Sequence, residues 1–184
     1  MLEQRIQQQF FDGADLQYQA AESLARPIAD AAQALLGALT AGAKIMAGGS
    51  GAGRWLAQHL ATTLVGRFER ERPALAALAL QVDAGALDKQ LQALGQPGDV
   101  LVLFDTDGAD AALPAALLAA HDKDMSVVVL AAQASVRWPA LLAETDVLIA
   151  VPHERGARIL ELQLLVLHCL CDAVDLQLMG EQEP

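Results

Sequence analysis

At 184 residues the chain is long enough to bury a substantial core without disulfides or metals, which suits one ordinary domain. Hydrophobic residues make up 54% and aromatics only 4%, so the core must be built from Ala, Leu and Val, with apolar surface left for subunit contact. The net charge of −11 argues against direct binding of nucleic-acid phosphates, and no apolar run reaches the ~18 residues of a membrane span.

Apolar positions at helical spacing (Ile6, Phe10, Ala14, Leu16, Ala20) predict a helix over 3–25, with Pro27 beginning a second one through Leu39. Gly42 ends it, and Lys44 to Ala47 reads as a short buried strand. Ser50 to Phe68 is expected to be helical, closing in the charged cluster Arg67-Phe-Glu-Arg-Glu-Arg-Pro73, the charged end of a helix beside a turn. Strands are predicted over 75–82, 99–104, 126–131 and 146–151. Helices are predicted over 86–94, 109–121, 137–143 and 156–178. Five apolar strands separated by helices imply an α/β fold, a three-layer α/β/α sandwich on a five-stranded, mostly parallel sheet. The N-terminus Met-Leu-Glu-Gln-Arg-Ile does not resemble a signal peptide, and a cytoplasmic protein that contacts no membrane is expected.

The most informative stretch is Lys44-Ile-Met-Ala-Gly-Gly-Ser-Gly-Ala-Gly-Arg-Trp-Leu-Ala-Gln-His59, a strand, a glycine-rich turn and a helix start. Backbone N–H groups at such a helix N-terminus favour an anion such as phosphate. The turn lacks the Gly-Lys-Ser/Thr ending of a P-loop. No acidic residue ends a second strand about 20 residues on, as ribose binding requires.

Several segments together resemble the SIS (sugar isomerase) domain family, and within it the branch of the phosphoheptose isomerases and the DnaA initiator-associating proteins (DiaA). They are Gly-x-Lys-Ile at 42–45, Ala-Gln-His at 57–59, Arg-Phe-Glu-Arg-Glu-Arg-Pro-Ala-Leu at 67–75 and Gln-Ala-Leu-Gly-Gln-Pro-Gly-Asp-Val-Leu at 92–101. Ala-Arg-Ile at 157–159, Glu161 and His-Cys-Leu-Cys-Asp at 168–172 complete the set. The resemblance spans the chain from its N-terminal helices to its last helix. It implies one SIS domain over 1–184, with a helical extension at about 1–41 used in forming a homotetramer.

The resemblance also shows what has changed. In the isomerases the turn after the first strand carries a serine that binds the substrate phosphate; here the turn reads Gly49-Ser50-Gly51-Ala52-Gly53, with Gly53 in the serine's place. The second phosphate loop of the family, Ser-Thr-Ser-Gly-Asn-Ser, is replaced by Asp105-Thr106-Asp107-Gly108-Ala109-Asp110. Three carboxylates there repel a dianion, each pair at roughly 4 Å costing several kcal/mol at intermediate dielectric. Helix capping by one or more of these aspartates is the alternative, and either way ordinary phosphate binding is lost. The degenerate pocket is thus assigned to Ser50, Gly51, Gly53, Asp105, Thr106, Asp107 and Asp110.

Isomerisation of an aldose to a ketose needs a base for a carbon-bound proton and an acid for the neighbouring oxygen. The glutamate expected four residues after His59 is Thr63, and the glutamine expected eight residues before His168 is Leu160. Two histidines alone make a poor zinc site of the family's kind. His59, Thr63 and His168 are therefore read as remnants, the histidines as a partly buried, hydrogen-bonded pair, with no catalytic residue and no cofactor expected. The chain is also shorter than the family between Asp83 and Leu91, where a segment walls the site.

Cys169 and Cys171 flank a leucine on a helix, face different ways and are read as core residues rather than metal ligands. The aspartates at 105–110 lack the further ligands of a calcium loop. The initiator-associating branch implies a partner, the replication initiator DnaA. The branch's leucine–phenylalanine contact pair at the end of the last helix matches Leu178 and Met179 here, followed by Gly180 and the acidic tail 181–184. Covering a neighbouring subunit is the plainer use of that pair. Phosphoheptose isomerase activity, or binding of another carbohydrate derivative, is the competing function.

Overall fold

The computed structural model describes residues 1–81 and 86–180. Its elements run α1 (Leu2–Thr40), β1 (Ile45–Gly49), α2 (Gly53–Val65), β2 (Ala77–Ala79), α3 (Leu87–Leu94), β3 (Val100–Phe104), α4 (Ala112–His121), β4 (Ser126–Ala132), β5 (Val147–Val151) and α5 (Gly156–Met179). The five strands form one sheet in the order β2-β1-β3-β4-β5, and every pairing is parallel. This is the expected α/β sandwich. The tail at 181–184, residue 82 of the expected second strand and the start of the shortened segment at 83 lie outside the described residues.

Strand residues alternate between two cores, as the two-residue period of a strand requires. Ile45, Ala47, Val100, Val102 and Phe104 face a layer made by α1, α2 and α5. Met46, Leu101, Leu103, Val127 and Val129 face α3, α4 and Trp138. Both faces are covered, so β1 and β3 read as unbroken apolar runs.

Three local expectations are corrected. Pro27 does not begin a second helix; it lies inside α1, which continues for 39 residues. An interior proline removes one hydrogen bond and costs about 3 kcal/mol. Burial of Leu16, Ala20, Leu24, Ala31 and Leu35 along the same helix outweighs that loss. Helix α2 starts at Gly53 rather than Ser50, because the chain first turns through Gly51 at φ +48°. Residues 137–143 form turns rather than a helix, and that stretch buries Trp138 completely.

Two polar clasps fix the frame. Arg72 donates from Nε to Asp175 Oδ1 at 2.5 Å, and from its two terminal nitrogens to the Leu64 and Thr63 carbonyls at 2.8 and 3.0 Å. This ion pair is almost wholly buried and ties the end of α2 to α5. At the edge of the sheet, just beyond β2, the Gln90 carboxamide bonds both backbone groups of Gln81. Its Oε1 accepts the Gln81 N–H at 3.0 Å, and its Nε2 donates to the Gln81 carbonyl at 2.7 Å.

Candidate functional site

In an open parallel sheet, ligands sit beyond the carboxyl ends of the strands, where the winding direction reverses. With the order 2-1-3-4-5 that point lies between β1 and β3. The two loops singled out from the sequence, 49–53 and 105–110, meet there. Ser50 N–H donates to the Phe104 carbonyl at 3.1 Å. A β-carbon on Gly51 would lie 3.6 Å from both Asp107 Oδ2 and Thr106 Oγ1. A cleft of about 640 Å³ opens beside them, lined among others by Thr106, Asp107, Gly108, Ser135, Arg137 and Glu154. A second of about 460 Å³ lies between α2 and the sheet edge, lined by Gly51, Arg54, Trp55, Gln58 and residues 79–81.

Within this site each assigned pocket residue has a definite place. Gly53 is buried, and a β-carbon there would overlap the Phe104 carbonyl oxygen, so α2 has closed onto the end of β3. Ser50 is 1% exposed, and its hydroxyl has no hydrogen-bond partner among the described residues. Thr106 is buried and its hydroxyl reaches the Ser50 carbonyl at 3.4 Å.

The three aspartates part company. Asp105 is 1% exposed: its Oδ2 accepts from Arg137 and from the Trp138 indole, each at 2.8 Å, and its Oδ1 accepts from the Gly108 N–H at 2.9 Å. Asp110 Oδ1 accepts from the N–H of Ala112, the first residue of α4, at 2.8 Å, two residues on in sequence, while the N-cap position itself is Ala111, without a side-chain cap. Asp107 Oδ1 accepts from the Ala109 N–H at 3.0 Å. The carboxylates that line the larger cleft are therefore Asp107 and Glu154. Sequence reasoning missed Arg137 and Trp138. Their signal is an adjacent guanidinium and indole following β4 in a stretch of small residues.

The two histidines meet. His59 on α2 and His168 on α5 approach Nε2 to Nε2 at 3.2 Å, so one ring donates and the other accepts. The ring of Phe68 lies 5.4 Å from that of His168. Burial and the neighbouring His59 push the His168 pKa below its usual value, against the opposing pull of Glu69. Thr63, in the position of the family's base, is buried and bears no acid–base group. A zinc ion does not fit this donor set: two imidazoles are too few, and Thr63 and Leu160, at the positions where the resemblance implies a glutamate and a glutamine, supply no further ligand of that kind. No group of three or more His, Cys, Asp or Glu side chains suited to a metal occurs among the described residues.

The cysteines do not converge on one ion. Burial, and Asp175 beside it, push the Cys171 thiol up to about 12, against Arg72. Burial and then Asp172 raise that of Cys169, so both stay protonated at neutral pH. Leu178 and Met179, at the end of α5, are 36% and 51% exposed. No helix among the described residues is long and apolar enough to cross a membrane.

Known proteins share this fold. The SIS domain profile matches residues 9–132. The phosphoheptose isomerase of Methylibium petroleiphilum is 55% identical over all of this chain and 98% of its own length. That of Azoarcus sp. is 43% identical over 97% of this chain and 98% of its own. Among solved structures, phosphoheptose isomerases from Neisseria gonorrhoeae and Francisella tularensis superpose with TM-scores of 0.86 and 0.88, at 36% and 30% identity. Each alignment covers 95% of this chain, and 99% and 98% of the respective relative. By profile, full-length sequence identity and fold, the chain belongs to the SIS-domain family, among relatives named phosphoheptose isomerase.

Proposed function

We propose that this chain is a non-catalytic SIS-domain protein that works by binding, as a homotetramer, the replication initiator DnaA. The observation that carries the first half is the state of the would-be catalytic groups. The base position is a buried threonine, and His59 and His168 occupy one another's reactive nitrogens. Such a set lacks the carboxylate that would pair with a histidine to divide the base and acid roles of an isomerisation. The partner rests on the resemblance of the chain to the initiator-associating branch. The half-exposed pair Leu178 and Met179 offers a small apolar contact suited to a protein surface.

The test has two arms. Purified protein is expected to give no turnover of sedoheptulose 7-phosphate above background. The N-terminal domain of DnaA is expected to bind the intact protein, and Leu178→Ala with Met179→Ala to weaken that binding at unchanged assembly. Retained affinity in the double variant moves the contact elsewhere; no binding by the unmodified protein removes the DnaA role.

A second reading, an isomerase or binder of sugar phosphates or other carbohydrate derivatives, is favoured by the names of the full-length relatives and by the 640 Å³ cleft. Turnover by tag-free protein, abolished by His168→Ala, would establish it.

A further inference from the structure

Around the Asp105 carboxylate three donors converge from two parts of the chain: Arg137 Nη2 and the neighbouring Trp138 indole from one, the Gly108 amide from the other. The same arginine reaches the far end of the loop, donating from Nη1 to the Asp110 carbonyl at 3.0 Å. Its guanidinium lies 4.8 Å from the centre of the Trp138 ring, which is fully buried. Gly108 stands at φ +71°, the left-handed conformation that turns successive N–H groups toward one point. A guanidinium, an indole N–H and a backbone amide aimed at one spot make a receptor for an anion. Here the anion is part of the chain.

We propose that Arg137, Trp138 and the Gly108 amide form an anion cradle that the protein fills permanently with its own Asp105 carboxylate. The filled cradle pins loop 105–110 at both ends without any ligand. It also withholds Arg137, the one cation that lines the larger cleft among the described residues, and the cleft's remaining charges there are Asp107 and Glu154. The cleft is left shaped for a ligand but closed to anionic ones. This goes beyond the proposed DnaA role and shares with the non-catalytic reading only the loss of phosphate binding.

Emptying the cradle tests this. Asp105→Ala is expected to unfold at lower temperature and to recover with sodium formate, measured against sodium chloride at equal ionic strength. Its apparent affinity for formate should exceed that of the wild type by at least about tenfold. The double variant Asp105→Ala with Arg137→Ala should show no formate response. Equal effects of formate and chloride on Asp105→Ala overturn the cradle but leave catalytic silence standing. Stabilisation of the wild type by inorganic phosphate overturns both. A measurement on the wild type covers the case in which Asp105→Ala does not fold. The Trp138 indole proton should exchange slowly with solvent and keep its NMR frequency when phosphate is added. Fast exchange, or a phosphate-dependent shift, overturns the proposal.

Discussion

Replacing Thr63 by glutamate restores the family's base in name only. The side chain is 6% exposed, so the new carboxylate enters a buried position, and the Arg72 guanidinium that bonds the Thr63 carbonyl is already paired with Asp175. An unpaired buried charge costs of order 3 kcal/mol. Thr63→Glu is expected to lower the unfolding free energy from urea denaturation by that amount while leaving sedoheptulose 7-phosphate untouched. Gly53 gives the same lesson from the other side: the returning serine would meet the Phe104 carbonyl where its β-carbon must sit. The histidine pair carries a pH signature. The folded-state pKa of His168 lies below its unfolded value of 6.5, so the unfolded chain takes up a proton first as pH falls. Stability is full above about pH 6.5 and declines below it, through the folded-state pKa of His168. His59→Gln removes one of the two causes of that depression. Imidazole NMR is then expected to show His168 titrating at higher pH than in the wild type.

Arg72 belongs to two elements at once, holding the C-terminal turn of α2 against Asp175 on α5. Arg72→Ala strands that buried carboxylate and releases the Thr63 and Leu64 carbonyls together. A loss of about 3–5 kcal/mol in chemical denaturation is expected, with α2 and α5 exchanging amide protons faster. The elements themselves were largely legible. The apolar runs at Ile45–Gly49 and Val100–Phe104 are uniform and set between polar residues, Lys44 and Ser50 for the first and Asp99 and Asp105 for the second, as suits strands of a doubly covered sheet. Pro27 was misleading because a local rule about one missing hydrogen bond says nothing of the side chains buried on either side of it. Residues 137–143 were misleading because their helical spacing hides a tertiary demand: Trp138 and Arg137 answer to Asp105, 32 residues or more away in sequence. Of the site, the locations of both loops were readable, as was the threonine at position 63, four residues after His59. The direct bond between His59 and His168, and the division of labour among Asp105, Asp107 and Asp110, depend on how helices and loops pack and leave no periodic trace.

For the molecule as a whole, α1 is about 58 Å long at 1.5 Å per residue, and its first turns expose Leu2, Ile6, Phe10 and Phe11. Farther along, α1 and α5 border an apolar groove of about 260 Å³ containing Leu24, Ile28, Leu165 and Cys169. So much apolar helix surface on a 19.4 kDa chain is expected to be covered by other copies. Sedimentation at micromolar concentration should give a tetramer, and removal of residues 2–11 a smaller species; a stable monomer of the intact chain would refute the assembly. How copies do not join is set at the other side of the molecule. By standing in for the next strand, the Gln90 carboxamide uses up both hydrogen-bonding groups that Gln81 would offer a stranger. The sheet thus has a stopped end there. Growth strand by strand into an open-ended fibre is blocked at that point, and the closed assembly expected here would then have to form through helices, whose symmetric contacts close on themselves at a finite number of subunits.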